Sequence, residues 1–378
     1  MPERGGRKLP GRSLADVMQA APLPSATRRA WRPRRVLITR AARDHAHGRA
    51  IASRAAALGV EVTELAGNQV RLPPQPDERR AYAEAKATLA VVTAPPSKLK
   101  LQPIAPSADW RVDLAEGCPA HCAYCYLAGS LSGPPITRVY ANLEEITAVL
   151  PDFLGAGRIT SRSRHRSHEG TTYEASCYTD PLALEPLTGS MSALIRFFGT
   201  WEADAQLRFT SKFADVSALL DLPHGGRTRM RASVNPSAYH RFEGGTDRVA
   251  ERLAALRSMA EAGYKVGLTI APIIAAEGWR EAYGELIALA ARALHGLPGL
   301  DLTAELITHR FTPGSRDVLV SWYPGSDLEM DPEQRSEKRT RFAGTKFVYP
   351  PELMAELKTF FHAELAANLP EARILYWT

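Results

Sequence analysis

Three of the four cysteines fall within one short stretch, Gly117-Cys118-Pro119-Ala120-His121-Cys122-Ala123-Tyr124-Cys125. The spacing Cys-x3-Cys-x2-Cys puts three thiolates on a single loop. Such a set can hold three irons of a [4Fe–4S] cubane and leave the fourth iron without a protein ligand. An open iron can chelate the amino and carboxylate groups of S-adenosylmethionine (SAM). One electron from the cluster then cleaves the carbon–sulfur bond and yields a 5′-deoxyadenosyl radical. The alternative is a structural zinc site with Cys177 or His121 as the fourth ligand, although structural zinc usually takes paired Cys-x2-Cys knuckles. A disulfide framework would spread its cysteines and suits smaller secreted chains.

Side chains of this kind need a scaffold, and the pattern beyond residue 110 supplies one. Strands are expected at 110–115, 172–177, 206–212, 228–235, 265–273 and 302–310. Helices are expected at 142–154, 187–201, 214–220, 247–262 and 278–294, with a closing helix at 351–367. Such a succession of β/α units implies parallel strands with right-handed crossovers. The fold class is therefore α/β, with a partial (β/α)6 TIM-like barrel. The polar residues fall at strand ends. Cys118 follows the first strand, Cys177 ends the second, Lys212 the third, Ser233 and Asn235 the fourth, and His309 and Arg310 the sixth. Reacting groups of β/α barrels sit at such C-terminal ends, where the loops converge.

Ahead of the barrel, strands at 35–39, 60–65 and 88–93 alternate with helices at 45–58 and 77–87. They read as a small N-terminal α/β domain with a proline-rich linker, 34–105, followed by the barrel and a C-terminal basic segment and helix, 106–378. No Gly-x-Gly-x-x-Gly marks the first unit as a nucleotide site.

The chain of 378 residues is 45% hydrophobic and 23% charged, as in ordinary soluble proteins. No apolar run is long enough to span a bilayer, and no secretory pattern opens the chain. A cytoplasmic protein without membrane partners is expected. The net charge of +6 is uneven: residues 1–43 hold eleven Arg and Lys against Glu3 and Asp16. That segment alone is +9, which leaves −3 for the rest. A basic tail over 1–33, expected to be disordered, suggests a polyanionic partner or simply a solvated arm.

The cysteine triplet with its flanks resembles the signature of the radical SAM superfamily, and the wider chain is similar to the spore photoproduct lyase family. The similarity runs from about residue 33 onward. It is carried by Gly67-Asn68-Gln69-Val70-Arg71, 85–89, 117–127, 138–142, Glu174-Ala175-Ser176-Cys177 and Phe209-Thr210-Ser211-Lys212, taken in order. It continues through Gly263-Tyr264, Ala271-Pro272, 277–279, Ile307-Thr308-His309-Arg310-Phe311-Thr312 and Lys346-Phe347-Val348-Tyr349.

This resemblance implies a barrel of radical SAM type and a DNA repair lyase. The substrate would be 5-thyminyl-5,6-dihydrothymine, reversed to two thymines with a [4Fe–4S] cluster on Cys118, Cys122 and Cys125. It assigns Cys177 as hydrogen donor to the thymine radical and Tyr126 as a relay. Tyr124, Thr179, Lys212 and Ser233 would line the SAM site. A one-electron reductant such as a flavodoxin or ferredoxin is also implied. Candidate contacts to damaged DNA are Arg162, Arg164, Arg166, Arg310, Arg339, Arg341 and Lys346.

Two departures stand out: Thr179 replaces the family's common Ser, and 158–170 forms a longer, more basic loop. Competing readings are a related enzyme acting on another lesion or a free nucleotide, and a zinc-stabilised nucleic-acid binder.

Overall fold

The computed structural model describes residues 31–128, 134–339 and 344–378; most of the basic tail and Arg341 lie outside them. The chain opens with three parallel strands, β1 (Arg35–Ile38), β2 (Glu61–Glu64) and β3 (Thr88–Val92), with β1 between the other two. Helices α1 (Arg40–Asp44) and α2 (Ala46–Ala57) link β1 to β2, and α3 (Glu78–Lys86) precedes β3. Asp77 starts α3 by accepting a hydrogen bond from the Arg80 amide at 2.8 Å, the usual device for an orphan first-turn N–H.

The chain then crosses to a second sheet through the antiparallel pair β4 (Gln102–Ile104) and β5 (Ala108–Val112). It returns at once. Strands β6 (Ala115–Glu116) and β8 (Thr137–Tyr140) complete the first sheet in the order β2-β1-β3-β8-β6. The first sheet therefore draws strands from both sides of residue 105. Between β6 and β8 the chain makes the excursion that carries the three cysteines. A short strand inside it, β7 (His121–Cys122), leaves the first sheet altogether.

The second sheet has the order β17-β14-β13-β11-β10-β9-β5-β4. Its strands β9 (Thr171–Ala175), β10 (Ala205–Ser211), β11 (Thr228–Val234), β13 (Lys265–Ile273) and β14 (Leu302–Thr308) run parallel to β5. These are the six strands expected, displaced by a few residues, and the sheet curls into an open half-barrel. A strand not expected from the sequence, β17 (Arg373–Trp377), adds in parallel to β14. The two-residue β12 (Glu243–Gly244) pairs with β7 and so ties the cysteine loop to the barrel.

The helical layer is α4 (Leu143–Ala148), α5 (Pro181–Thr188), α6 (Ser190–Thr200), α7 (Val249–Glu261), α8 (Trp279–Leu294), α9 (Pro313–Trp322) and α10 (Pro351–Asn368). A hairpin of β15 (Ser336–Arg339) and β16 (Thr345–Val348) follows α9.

Three helix expectations need correction. Residues 214–220 form turns instead of a helix, because the Asp215 carboxylate accepts from the Ser217 amide and hydroxyl, a local bond that competes with helix formation. The helix expected over 187–201 breaks at Gly189, whose φ of +63° starts a new element. The helix expected over 142–154 stops at Ala148 and ends in a 3-10 turn begun at Leu150, with Pro151 next.

The barrel interior is ionic. Arg208 of β10 pairs with Glu305 of β14 at 2.6 Å, and Arg231 of β11 pairs with both Glu305 and Glu174 of β9. The Tyr376 hydroxyl donates to Glu305 at 2.9 Å, and Ser107 donates to Glu174 at 3.0 Å. Burial alone would raise the Glu305 carboxyl, but Arg231 and Arg208 hold it down, at about 2. Its contribution to stability is fully present above the unfolded carboxyl value and is lost as pH falls towards about 2.

Glu305→Leu removes the carboxylate that the buried Arg208 and Arg231 share, leaving Arg231 with Glu174 and Arg208 with the more distant Glu169, and is expected to cost about 3–5 kcal/mol. Denaturant unfolding of the full chain measures it. A loss below about 1 kcal/mol, the size for exposed pairs, would mean that water reaches the network.

Candidate active site

The cysteine loop begins at Gly117, whose φ is +79°. A Cβ there would lie 2.4 Å from the Ile136 carbonyl oxygen, so only glycine lets the two ends of the loop pass so closely. The loop is then fixed on two sides. Lys86 of α3 donates to the carbonyls of Cys118 and Ala120. On the barrel side, the Ala123 amide donates to the Phe242 carbonyl at 2.9 Å beside the β7–β12 pair.

All three cysteines are free thiols. Burial pushes Cys118 up to about 12 and raises Cys122 further, and in both the neighbouring thiols add to the shift. As bare thiols Cys118 and Cys122 keep their protons, and a bound metal would draw out the thiolates. Among the described residues no three Cys, His, Asp or Glu side chains converge to share a single ion. A cubane asks for less, because each thiolate takes its own iron. The loop thus fits a cluster better than a compact zinc site.

Facing the loop are the ends of β9, β10 and β11. Lys212 follows β10 and donates to the Ser233 hydroxyl and, at 3.1 Å, to the Ala271 carbonyl. Its ammonium lies 3.6 Å from Glu243 and 5.5 Å from the centre of the Tyr124 ring. Tyr124 donates to Glu243, which also pairs with Arg252 at 2.5 Å. Burial opposes ionisation of Glu243, but Lys212 and Arg252 bring it down to about 2.

Asp180 accepts from the Lys212 amide at 2.7 Å and from Ser211 at 2.6 Å while capping α5, so it joins two strand ends. The Thr179 hydroxyl is buried and has no hydrogen-bond partner. Buried hydroxyls ordinarily have a partner, so an orphan of this kind leaves one hydrogen bond open to a bound group.

Cys177 lies just beyond β9. The strand ends where Ser176 turns into the left-handed region at φ +56°, an uncommon conformation for a residue with a side chain. The Ser176 amide still bonds to the Val112 carbonyl at 2.8 Å, and the Thr179 amide closes the turn onto the Ser176 carbonyl at 3.1 Å. The Cys177 sulfur rests 3.9 Å from the Glu174 carbonyl oxygen. Burial, then Glu174 and Asp113, push this thiol well above its ordinary value, so the S–H bond persists. Tyr126 is 66% exposed, yet its hydroxyl turns inward and donates to the Cys177 carbonyl.

The structure sorts the basic candidates. Arg166 is buried, pairs with Glu169 at 2.9 Å and donates to the carbonyls of Pro106 and Ser107. These bonds make it a brace between the loop and the start of β5 and leave it little surface to offer a phosphate. Arg162 and Arg164 are exposed, but their loop is tied through Thr160 and Ser161 to Asp109 at the start of β5. That is the N-terminal end of the strands, opposite the cysteines.

Arg310 and the β15–β16 hairpin lie at the mouth, where Phe311 pairs with Phe347. Arg339 is exposed and Lys346 half-buried; burial, Arg310 and Lys338 lower the Lys346 ammonium. Sequence reasoning gave no role to Lys86, Glu243 or Asp180. Lys86 lies in a segment already noted for resemblance and Asp180 three residues beyond another, whereas Glu243 carried no signal.

The spore photoproduct lyase family profile matches residues 31–378. The chain belongs to the spore photoproduct lyase family. A spore photoproduct lyase of a Geobacillus species is 38% identical over 324 residues, which cover 85% of this chain and 91% of that one. The Bacillus subtilis spore photoproduct lyase is 34% identical over 92% of this chain and 98% of its own. A solved spore photoproduct lyase variant with bound AdoMet and dinucleoside spore photoproduct superposes with a TM-score of 0.85 at 36% identity. The match covers 93% of this chain and 100% of that one. A second, complexed with dinucleoside spore photoproduct, gives 0.84 at 36% identity over 92% and 99%.

Proposed function

We propose that this radical SAM lyase repairs DNA by reversing the spore photoproduct to two thymines. The observation that carries the reading is the meeting of Cys177 and Tyr126 at the end of β9, on the side of the barrel that faces the cysteine loop. When bound on Cys118, Cys122 and Cys125, the [4Fe–4S] cluster with SAM supplies a 5′-deoxyadenosyl radical that takes hydrogen from carbon. Lys212, Ser233 and the unpartnered Thr179 hydroxyl orient the amino-acid end of SAM, and Glu243 and Arg252 hold Lys212 and Tyr124 in place. Cys177 keeps its S–H bond and gives that hydrogen atom to the thymine radical left after the methylene bridge breaks. Tyr126 is hydrogen-bonded at the Cys177 backbone, where it can restore the donor.

Arg310, Arg339 and Lys346 at the mouth form the surface that meets DNA phosphate, and the lesion enters flipped out of the stack. Small one-electron carriers of the flavodoxin or ferredoxin kind reduce the cluster, and the work is done in the cytoplasm. Among the described residues no helix is long and apolar enough to cross a membrane.

The test uses full-length protein, reconstituted without oxygen and given SAM, a chemical reductant and the dinucleoside lesion. Thymidine should form with SAM largely recovered. SAM cleavage with the dinucleoside untouched would move the reading to another lesion. With lesion-bearing duplex, affinity should fall steeply with salt, and Arg339→Ala should lower the salt slope by about one.

A further inference from the structure

Lys86 is the last residue of α3, one turn after Tyr82 and on the same face. Both are buried against the cysteine loop, Lys86 at 7% exposure. Its ammonium donates to the carbonyls of Cys118 and Ala120 and lies 6.0 Å from the centre of the Tyr82 ring. Tyr82 in turn shares a hydrogen bond of 2.9 Å with His121 Nδ1.

The other two half-buried lysines near the loop are matched. Lys98 pairs with Asp113 and Glu116, and Lys212 with Glu243. No carboxylate among the described residues pairs with Lys86. Burying an unmatched ammonium is costly. The cost is offset if a negative charge arrives with a ligand. Three thiolates outweigh the charge of a cubane core, so the cluster is anionic and becomes more so on reduction. The carboxylates facing the same thiols are Asp180 and Glu243. They oppose reduction, and Glu243 is already compensated by Arg252 and Lys212.

We propose that Lys86 is a positioning residue whose charge stabilises the reduced cluster and raises its reduction potential. The inference rests on the family reading that a cluster occupies this loop. Net charge and hydrogen bonding around a cluster are the levers by which a protein sets its potential.

The experiment is a redox titration followed by electron paramagnetic resonance on full-length protein, reconstituted without oxygen and without SAM. At the wild-type midpoint, Lys86→Met should show a reduced-to-oxidised ratio lower by about tenfold, equivalent to about 59 mV for a one-electron couple. Lys86→Arg keeps the charge and should stay much closer to wild type. Tyr82→Phe, which disturbs the loop without removing charge, should also stay close. A fully loaded Lys86→Met with the wild-type ratio overturns the proposal, as does Lys86→Arg falling as far as Lys86→Met. A Lys86→Met chain that refuses the cluster while Lys86→Arg holds it would leave Lys86 a mere brace and also overturn the redox role. If the wild-type chain takes up no iron, the functional reading itself falls, and this inference with it.

Discussion

Cys122→Ala, purified without oxygen, is expected to fall from about four irons per chain to below one and to lose SAM cleavage and repair entirely. Cys122 is the middle cysteine of the loop and the residue through which β7 pairs with Glu243 of β12. The backbone pairing does not need the sulfur, so the variant should keep its circular dichroism spectrum. Its thermal midpoint should nevertheless drop below that of the loaded enzyme, because a ligand that binds only the folded state stabilises it. Iron, sulfide and 5′-deoxyadenosine are each measured directly. A variant that retains wild-type iron and cleaves SAM would remove the cluster from this loop.

The second large effect is expected at Cys177. Its replacement by alanine leaves the cysteine loop, Lys212 and Ser233 in place, so the first hydrogen abstraction should proceed and lesion should still disappear. Without the S–H bond the thymine radical is quenched by whatever small reductant is present. Products should shift from clean thymine to adducts, and deoxyadenosine should rise to about one per lesion consumed because the cofactor is no longer recovered. A C6-deuterated lesion should still label the deoxyadenosine. In the wild type, clean repair should persist as pH rises through the ordinary thiol range, since burial holds the Cys177 pKa well above it. An inert Cys177→Ala with its cluster intact would make Cys177 structural. Clean repair at the normal rate would pass the donor role to Tyr126 or another group.

The cysteine triplet was legible in the sequence because its spacing is local, and so was the place of Cys177 at a strand end, whereas its donor role came from the resemblance. Three cysteines within one loop, and polar residues at the ends of apolar strands, need no partner to be recognised. Strands β1, β3 and β13 were legible for a similar reason, since parallel strands buried on both faces read as apolar runs. The ionic interior was not. Arg229 and Arg231 alternate with Met230 and Thr228 along β11, a period that looks like one solvent face. Their carboxylates, Asp301 and Glu305, lie about seventy residues later.

Strands β6, β7 and β12 have two residues each and cannot show a period, and β8 shows its pairing only against β3. Arg166 looked like a solvated cation among others, although Glu169 three residues on was a hint of its ion pair. Lys86 could not be read at all, because its partners are carbonyl oxygens more than thirty residues away.

The excursion between β6 and β8 has a consequence for how the molecule melts. Its two ends are strands of the first sheet, and its middle is a strand of the β7–β12 pair on the barrel. Neither sheet can come apart fully without dragging this segment out of register in the other, so the two should unfold in one cooperative transition. Any group held by Cys118, Cys122 and Cys125 is then linked to both sheets at once. Oxidative loss of that group would loosen β2-β1-β3, which touches none of the chemistry, as surely as it loosens the barrel mouth. Protection of β1 and β3 amides from exchange would thus report whether the loop is loaded.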